Sequence, residues 1–222
     1  MILLFSGGLD SYIAYHLLSK PKTLYFDLRT PYSMKELETV QRLIPNTIIE
    51  RCLELGNRQQ GDNAYIPYRN LHLALLANKY DDTIVIAGLK DDRVNDKNEE
   101  VFRKWTALMS DMMGRPIKVV SPFWQQTKEQ IVRWFLDNGG TERELKNTIS
   151  CYSEGYIKEC NWCPACFRKW CALRANNVDV PDFKNRDLML QYLSHAKEGT
   201  FYIPERNETI IRVVTDFLKE NR

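Results

Sequence analysis

The sequence predicts an α/β fold: a doubly wound, mostly parallel five-stranded sheet followed by a cysteine-rich helical region. Three observations predict it. Short apolar runs alternate with stretches of helical periodicity through residues 1–140, the pattern of βαβ units. The first run, Ile2 to Phe5, passes directly into a Ser-Gly-Gly turn and a helix, as at the ligand edge of an open parallel sheet. Four cysteines then fall within residues 151–166, beyond the last strand. Residues 1–140 are accordingly taken as the α/β domain and 141–222 as the helical region.

Ile2-Leu3-Leu4-Phe5 is continuously apolar, as a strand covered on both faces requires. Leu9 to Ser19 has helical spacing until Pro21 ends it. Thr23-Leu24-Tyr25-Phe26 is the second strand, stopping at Asp27, and Ser33 to Leu43 is the next helix. A short third strand is expected at Thr47-Ile48-Ile49. Tyr68 to Lys79 carries Leu71, Leu75 and Leu76 at helical spacing, and Thr83 to Ala87 is the fourth strand, ended by Gly88. Lys90 to Glu100 is densely charged and reads as a loop before a helix through Trp105 and Met109 to Met112. Ile117 to Val120 is the fifth strand. Thr127 with Gln130 three residues on predicts a capped helix to Leu136. Two terminal helices are expected near 186–196 and 208–218.

Hydrophobic residues make up 44% and charged residues 27%, an ordinary globular composition. A formal net charge of +2 offers no broad polyanion-binding surface, which disfavours nucleic acid as a main partner. No stretch approaches the roughly 20 apolar residues of a membrane span. The first strand begins at Ile2, leaving no room for a secretory leader, so a reducing cytoplasm is the expected compartment. His16, His72 and His195 lie in helical patterns without metal spacing and read as surface or packing residues. A homodimer is admitted but not required.

The most specific local feature is Ser6-Gly7-Gly8-Leu9-Asp10-Ser11 between strand and helix. Glycines allow a sharp turn and close approach of an anion, and the helix start adds unpaired N–H groups and positive dipole. The hydroxyls of Ser6 and Ser11 suit phosphate oxygens, and Asp10 suits orienting the loop or a Mg²⁺ ion. The Gly-Lys-Ser/Thr ending of a Walker loop is missing. The loop instead resembles the SGGxDS signature of N-type ATP pyrophosphatases, the PP-loop proteins. That resemblance implies an adenine nucleotide alpha-hydrolase-like fold, ATP bound by Phe5 to Ser11, and pyrophosphate as the leaving group. The alternative is a Gly-Gly turn with no ligand.

Cys151-x8-Cys160-x2-Cys163-x2-Cys166 supplies four thiolates in one short segment, a donor set that suits tetrahedral Zn²⁺. Pro164 suits the first turn of a helix. A redox or sulfur-carrying site is the competing reading, and four thiolates leave no open position for a catalytic zinc. Cys52 and Cys171 read as packed thiols.

With both features in view, the chain resembles the 7-cyano-7-deazaguanine synthase family. Tyr25-Phe26-Asp27 and Glu36-Leu37-Glu38 are similar to its second strand and the acidic helix behind it. Ile66-Pro67-Tyr68-Arg69-Asn70 resembles VPxRN, Thr127-Lys128 with Ile131-Val132 resembles TKxxIV, and Thr148 to Tyr152 resembles TxSCY. The likeness covers roughly residues 1 to 175. It implies a structural zinc ion, ATP with Mg²⁺, a deazapurine acid as substrate and ammonia as co-substrate. Asp10, Arg69 and Lys128 are the implied catalytic residues, and Arg69, Asn70, Asp91 and Asp92 the implied substrate contacts. Each has a plainer alternative: Arg69 an exposed helix-start arginine, Asn70 a helix cap, Lys128 a solvated lysine, and Asp91 and Asp92 a charged loop.

The chain also departs from that family. Asp27-Leu28-Arg29-Thr30 stands where a Tyr-Gly-Gln-like segment is usual, and Asp91 to Asp96 replaces a loop like DxSGYPDC. These changes leave adenylation expected and leave open a product that stops at the amide or a larger amine as nucleophile. A PP-loop tRNA sulfurtransferase and a nucleotide-binding module without turnover are the competing classes.

Overall fold

The computed structural model describes residues 1–61, 64–155, 158–199 and 202–221. Strands β1 (Ile2–Leu4), β2 (Lys22–Phe26), β3 (Ile48–Glu50), β4 (Thr83–Val85) and β5 (Lys118–Val120) form one sheet in the order β3-β2-β1-β4-β5. Every neighbouring pair is parallel. The chain winds outward from β1 to β3, then returns to the other side of β1 with β4. The order therefore reverses between β1 and β4, where open α/β sheets form a crevice at the strand ends.

Side-chain alternation explains the layers. Leu3, Phe5, Tyr25 and Val85 enter one core with helices α1 (Leu9–Leu17), α2 (Ser33–Leu43) and α5 (Lys128–Asp137). Ile2, Leu4, Leu24, Ile84 and Val119 enter the other with α3 (Arg69–Ala77) and α4 (Glu99–Met113). A third core joins α7 (Pro164–Arg174), α8 (Arg186–Glu198) and α9 (Pro204–Glu220) around Phe167, Trp170, Met189 and Phe217. Ala172 and Leu173 of α7 also enter the first core, so the cysteine-rich region packs directly on the sheet layer.

Most elements fall where expected, with physical reasons for the differences. The first helix ends at Leu17 because Ser19 and Lys20 adopt left-handed conformations (φ 57° and 62°) before Pro21. The charged loop is shorter than expected, since the Asn98 side chain accepts from Val101 N–H and starts α4 at Glu99. Thr47 closes a turn onto Ile44 O instead of opening β3. The expected Thr127–Gln130 capping box forms. A second box, Thr141 with Glu144, starts α6 (Glu142–Asn147), which the sequence reading missed because six residues are too few for periodicity. Pro204 at the first turn begins α9 earlier than expected. Among the described residues no helix is long and apolar enough to cross a membrane.

Candidate nucleotide site and four-cysteine centre

The Ser6–Ser11 loop lies at the end of β1, and Gly8 caps α1. Gly7 has φ +71°, and a Cβ there would meet Thr39 Cγ2 at 3.0 Å. A Cβ on Gly8 would meet Ser6 Oγ at 3.2 Å and Ile149 O at 3.4 Å. Gly7 is thus favoured by its left-handed conformation and tight packing, whereas Gly8 is closely packed in an extended conformation. Ile149 N–H donates to Gly7 O at 2.9 Å, tying the segment before Cys151 to the loop. Ser6 is exposed, whereas Ser11 is buried and donates to Gly8 O at 3.0 Å. The first-turn amides of α1 have no intrahelical acceptor, as at any helix start.

Lys128, the first residue of α5, is buried and pairs with Asp10. Burial lowers the Lys128 pKa, an effect that Asp10 opposes. It is not a solvated lysine. Beyond β4, Asp91 and Asp92 face inward. Arg168 of α7 donates to Asp92 Oδ1 at 3.0 Å and Asp91 Oδ2 at 3.5 Å. Lys97 pairs with Asp92 Oδ2 at 2.9 Å, and Arg206 of α9 donates to Asp91 O at 3.1 Å. Burial opposes charge on Asp92, but Lys97 and Arg168 outweigh it and hold its pKa below the usual carboxylate range. Burial and neighbouring Arg168 lower Arg206 to about 10, still cationic at neutral pH. Lys128, Arg168, Arg206, Asp91 and Thr209 line a small cavity behind the loop.

Arg69 opens α3 after Tyr68, whose φ of 58° is uncommon for a residue with a side chain. It is half-buried, not exposed. Burial opposes its charge, while Tyr152, Tyr32, Glu36 and Asp96 favour it and raise its pKa overall. Asn70 does not cap the helix with its side chain. Its N–H and Nδ2 donate to Asp96 at 3.3 and 3.0 Å, fastening the departing loop to α3.

The Sγ atoms of Cys151, Cys160, Cys163 and Cys166 all lie within 4.8 Å of one another, and Cys160 and Cys166 are 3.8 Å apart. A tetrahedron with Zn–S of about 2.3 Å has S···S edges of about 3.8 Å, so the donor set fits Zn²⁺. Trp162 and Cys163 amides donate to Cys160 Sγ at 3.3 and 3.4 Å. Lys35 of α2 donates to Cys151 Sγ at 3.5 Å and to Ser153 O. Lys169 donates to Thr148 O at 2.6 Å and pairs with Glu159, which accepts from Ser150 N–H at 2.8 Å. Cys171 is a buried thiol whose pKa burial pushes up, as expected of a packed residue. Cys52 is exposed, contrary to expectation, because it follows β3 in an outer loop.

The structure thus brings the Ser6–Ser11 loop, Asp10 and Lys128 together, and places Arg69 within electrostatic reach of Glu36, Tyr32 and Tyr152. It turns Asp91 and Asp92 toward Arg168, Lys97 and Arg206, none of which sequence reasoning selected. For Arg168, the signal was its place two residues after Cys166 on the helix that Pro164 starts. Arg206 had none, lying in the stretch that the resemblance leaves unexplained.

Comparison with known proteins agrees with this arrangement. The Queuosine biosynthesis protein QueC family matches residues 22–177. A 7-cyano-7-deazaguanine synthase of Rickettsia prowazekii (strain Madrid E) is 37% identical over 83 residues, 36% of this chain and 35% of that protein. The chain therefore aligns with about a third of that relative's length. A 7-cyano-7-deazaguanine synthase of Prochlorococcus marinus subsp. pastoris (strain CCMP1986 / NIES-2087 / MED4) is 26% identical over 213 residues, 76% of this chain and 93% of that protein. One from Prochlorococcus marinus (strain MIT 9312) is 27% identical over 214 residues, 77% and 94% respectively. With well over half its length matched, and with the parallel sheet and four-cysteine centre in place, this chain belongs to the Queuosine biosynthesis protein QueC family.

Proposed function

We propose that the chain is an AMP- and pyrophosphate-forming carbon–nitrogen ligase that converts 7-carboxy-7-deazaguanine, through its amide, to the nitrile. The observation carrying this reading is the Ser6–Ser11 loop at the start of α1, flanked by the buried Lys128–Asp10 pair. A carboxylate oxygen attacks the α-phosphorus of ATP, and the bond to the bridging oxygen breaks to release pyrophosphate. Ammonia adds to the acyl-adenylate, and AMP leaves with the activated oxygen. The amide oxygen then attacks the α-phosphorus of a second ATP, expelling a second pyrophosphate, and loss of AMP and two protons leaves the C≡N bond. Loop amides and Lys128 stabilise charge on the phosphates, which requires alignment more than covalent catalysis. Asp10 is suited to Mg²⁺ carried by the triphosphate, an ion that offsets phosphate charge. Cys151, Cys160, Cys163 and Cys166 would hold zinc and so fix the segment that Ile149 ties to Gly7.

Purified protein with ATP, Mg²⁺, ammonium and 7-carboxy-7-deazaguanine is expected to release AMP and yield a nitrile by mass. AMP with an amide product, or with a conjugate to a larger amine, identifies the divergent variant that the Asp91–Asp96 loop suggests. ADP alone, or no nucleotide cleavage, overturns the reading. A tRNA sulfurtransferase would need a free redox pair, and the four clustered cysteines supply a metal donor set instead.

A further inference from the structure

Asp91 and Asp92 are neutralised by Arg168, Lys97 and Arg206 inside the protein. An acceptor ring rich in N–H donors needs another carboxylate at the strand-end crevice. Glu36, in the first turn of α2, meets that need. It is half-buried, accepts from Tyr25 Oη at 3.2 Å, and interacts with Arg69 across from α3. Tyr32 is 2% exposed, and its hydroxyl has no hydrogen-bond partner among the described residues. Its ring lies 4.9 Å from that of Tyr152, inclined at 45°, and Tyr152 is 38% exposed. The Lys35 contacts to Cys151 and Ser153 fix this tyrosine segment against α2.

We propose that Tyr32, Glu36, Arg69 and Tyr152 form the subsite that selects the acceptor's ring. Glu36 accepts from two adjacent N–H groups, Arg69 donates to the carbonyl beside them, Tyr32 supplies a further hydroxyl, and Tyr152 covers the ring face. The choice of ring rests on the activity proposed above, and the residues that read it are the addition. An anion beside a cation matches a guanine-type edge, which presents donors next to an acceptor. An adenine-type edge sets a ring-nitrogen acceptor against the carboxylate and leaves a buried polar group unmatched. The groups facing Glu36 are Arg69 from α3, Tyr25 and Asp27 at the end of β2, and Tyr32 and Lys35 beside it. Burial raises the Glu36 carboxyl to about 7, with Arg69 and Tyr25 opposing that rise. Affinity for a donor-rich ring therefore increases from pH 6 to pH 8.

The test uses 7-deazaguanine and 7-deazaadenine, rings without the reacting carboxylate, titrated calorimetrically. Wild-type protein at pH 8 is expected to bind the guanine-type ring at least about tenfold more tightly. Glu36→Gln should weaken that binding about tenfold, and Tyr32→Phe several-fold, both with unchanged affinity for a non-hydrolysable ATP analogue. Equal affinity for the two rings overturns the proposal, as does a Glu36→Gln protein that binds ATP analogue and 7-deazaguanine normally. Should the variants not fold, wild-type affinity for 7-deazaguanine that is the same at pH 6 and pH 8 overturns it. A wild-type enzyme that releases AMP with the acid yet gives those results fails this inference alone. Ring selectivity without AMP release fails the activity reading alone.

Discussion

Lys128, at the start of α5, pairs with Asp10 in the first turn of α1. Their side chains are 11% and 19% exposed, so the pairing offsets the cost of taking both groups out of water. The pair also joins the two helix N-termini that meet at the end of β1. Asp10→Ala leaves Lys128 buried and unpaired and should destabilise the fold by about 3 kcal/mol in urea denaturation. AMP release should vanish while metal content stays at about one ion per chain. Asp10→Ala with Lys128→Met should regain stability without regaining AMP release. Restored turnover in the double variant would confine the pair to a structural role.

Arg168 bridges Asp91 and Asp92 from α7, so the charged loop after β4 is held by the helix bearing Cys166. Arg168→Met should cost about 3 kcal/mol, because two buried carboxylates lose a shared cation. Arg168→Lys should recover less than half of that, since one ammonium cannot reproduce a planar fork between two acceptors. Equilibrium unfolding decides it: a lysine variant as stable as wild type would mean that charge alone, not the fork, matters.

At the four-cysteine centre, Cys163→Ser should lower bound zinc by at least tenfold and render the protein insoluble or loosely folded. Elemental analysis and thermal unfolding are the measurements. A soluble, zinc-loaded but inactive Cys163→Ser protein would instead make that sulfur a reactive group.

The local rules behind the fold were largely legible. Two glycines after Phe5, the Thr127–Gln130 pair and the cysteine spacing each act over a few residues, so the sequence carries them directly. What escaped depends on distant partners. Lys128 looked equally suited to solvent because nothing local places Asp10, 118 residues away, beside it. Nothing local showed that Asp91 and Asp92 meet Arg168 and Arg206, which arrive from helices more than 70 residues on. Glu36 was legible as part of the acidic helix behind the second strand, but its surroundings are set by Tyr25 of β2 and Arg69 of α3, which no local pattern brings to it.

Glu36 gives the chain a pH-dependent stability of definite sign. Its folded-state pKa of about 7 lies above the ordinary 4.5, chiefly through burial. Between these values the folded state holds a proton that the unfolded state has released, so stability falls as pH rises from 4.5 to 7 and is flat above. Partial solvent access reduces the effect to on the order of 2 kcal/mol. Glutamine imitates the neutral acid at every pH, so Glu36→Gln and wild type should be nearly equal at pH 5. At pH 8 the variant should be the more stable by about 2 kcal/mol. Comparing the two proteins cancels the titration of Asp92 and the other carboxylates, which both share. A stability difference that is identical at pH 5 and pH 8 would mean that Glu36 ionises with its ordinary pKa and that its burial beside Tyr25 and Arg69 does not hold the proton.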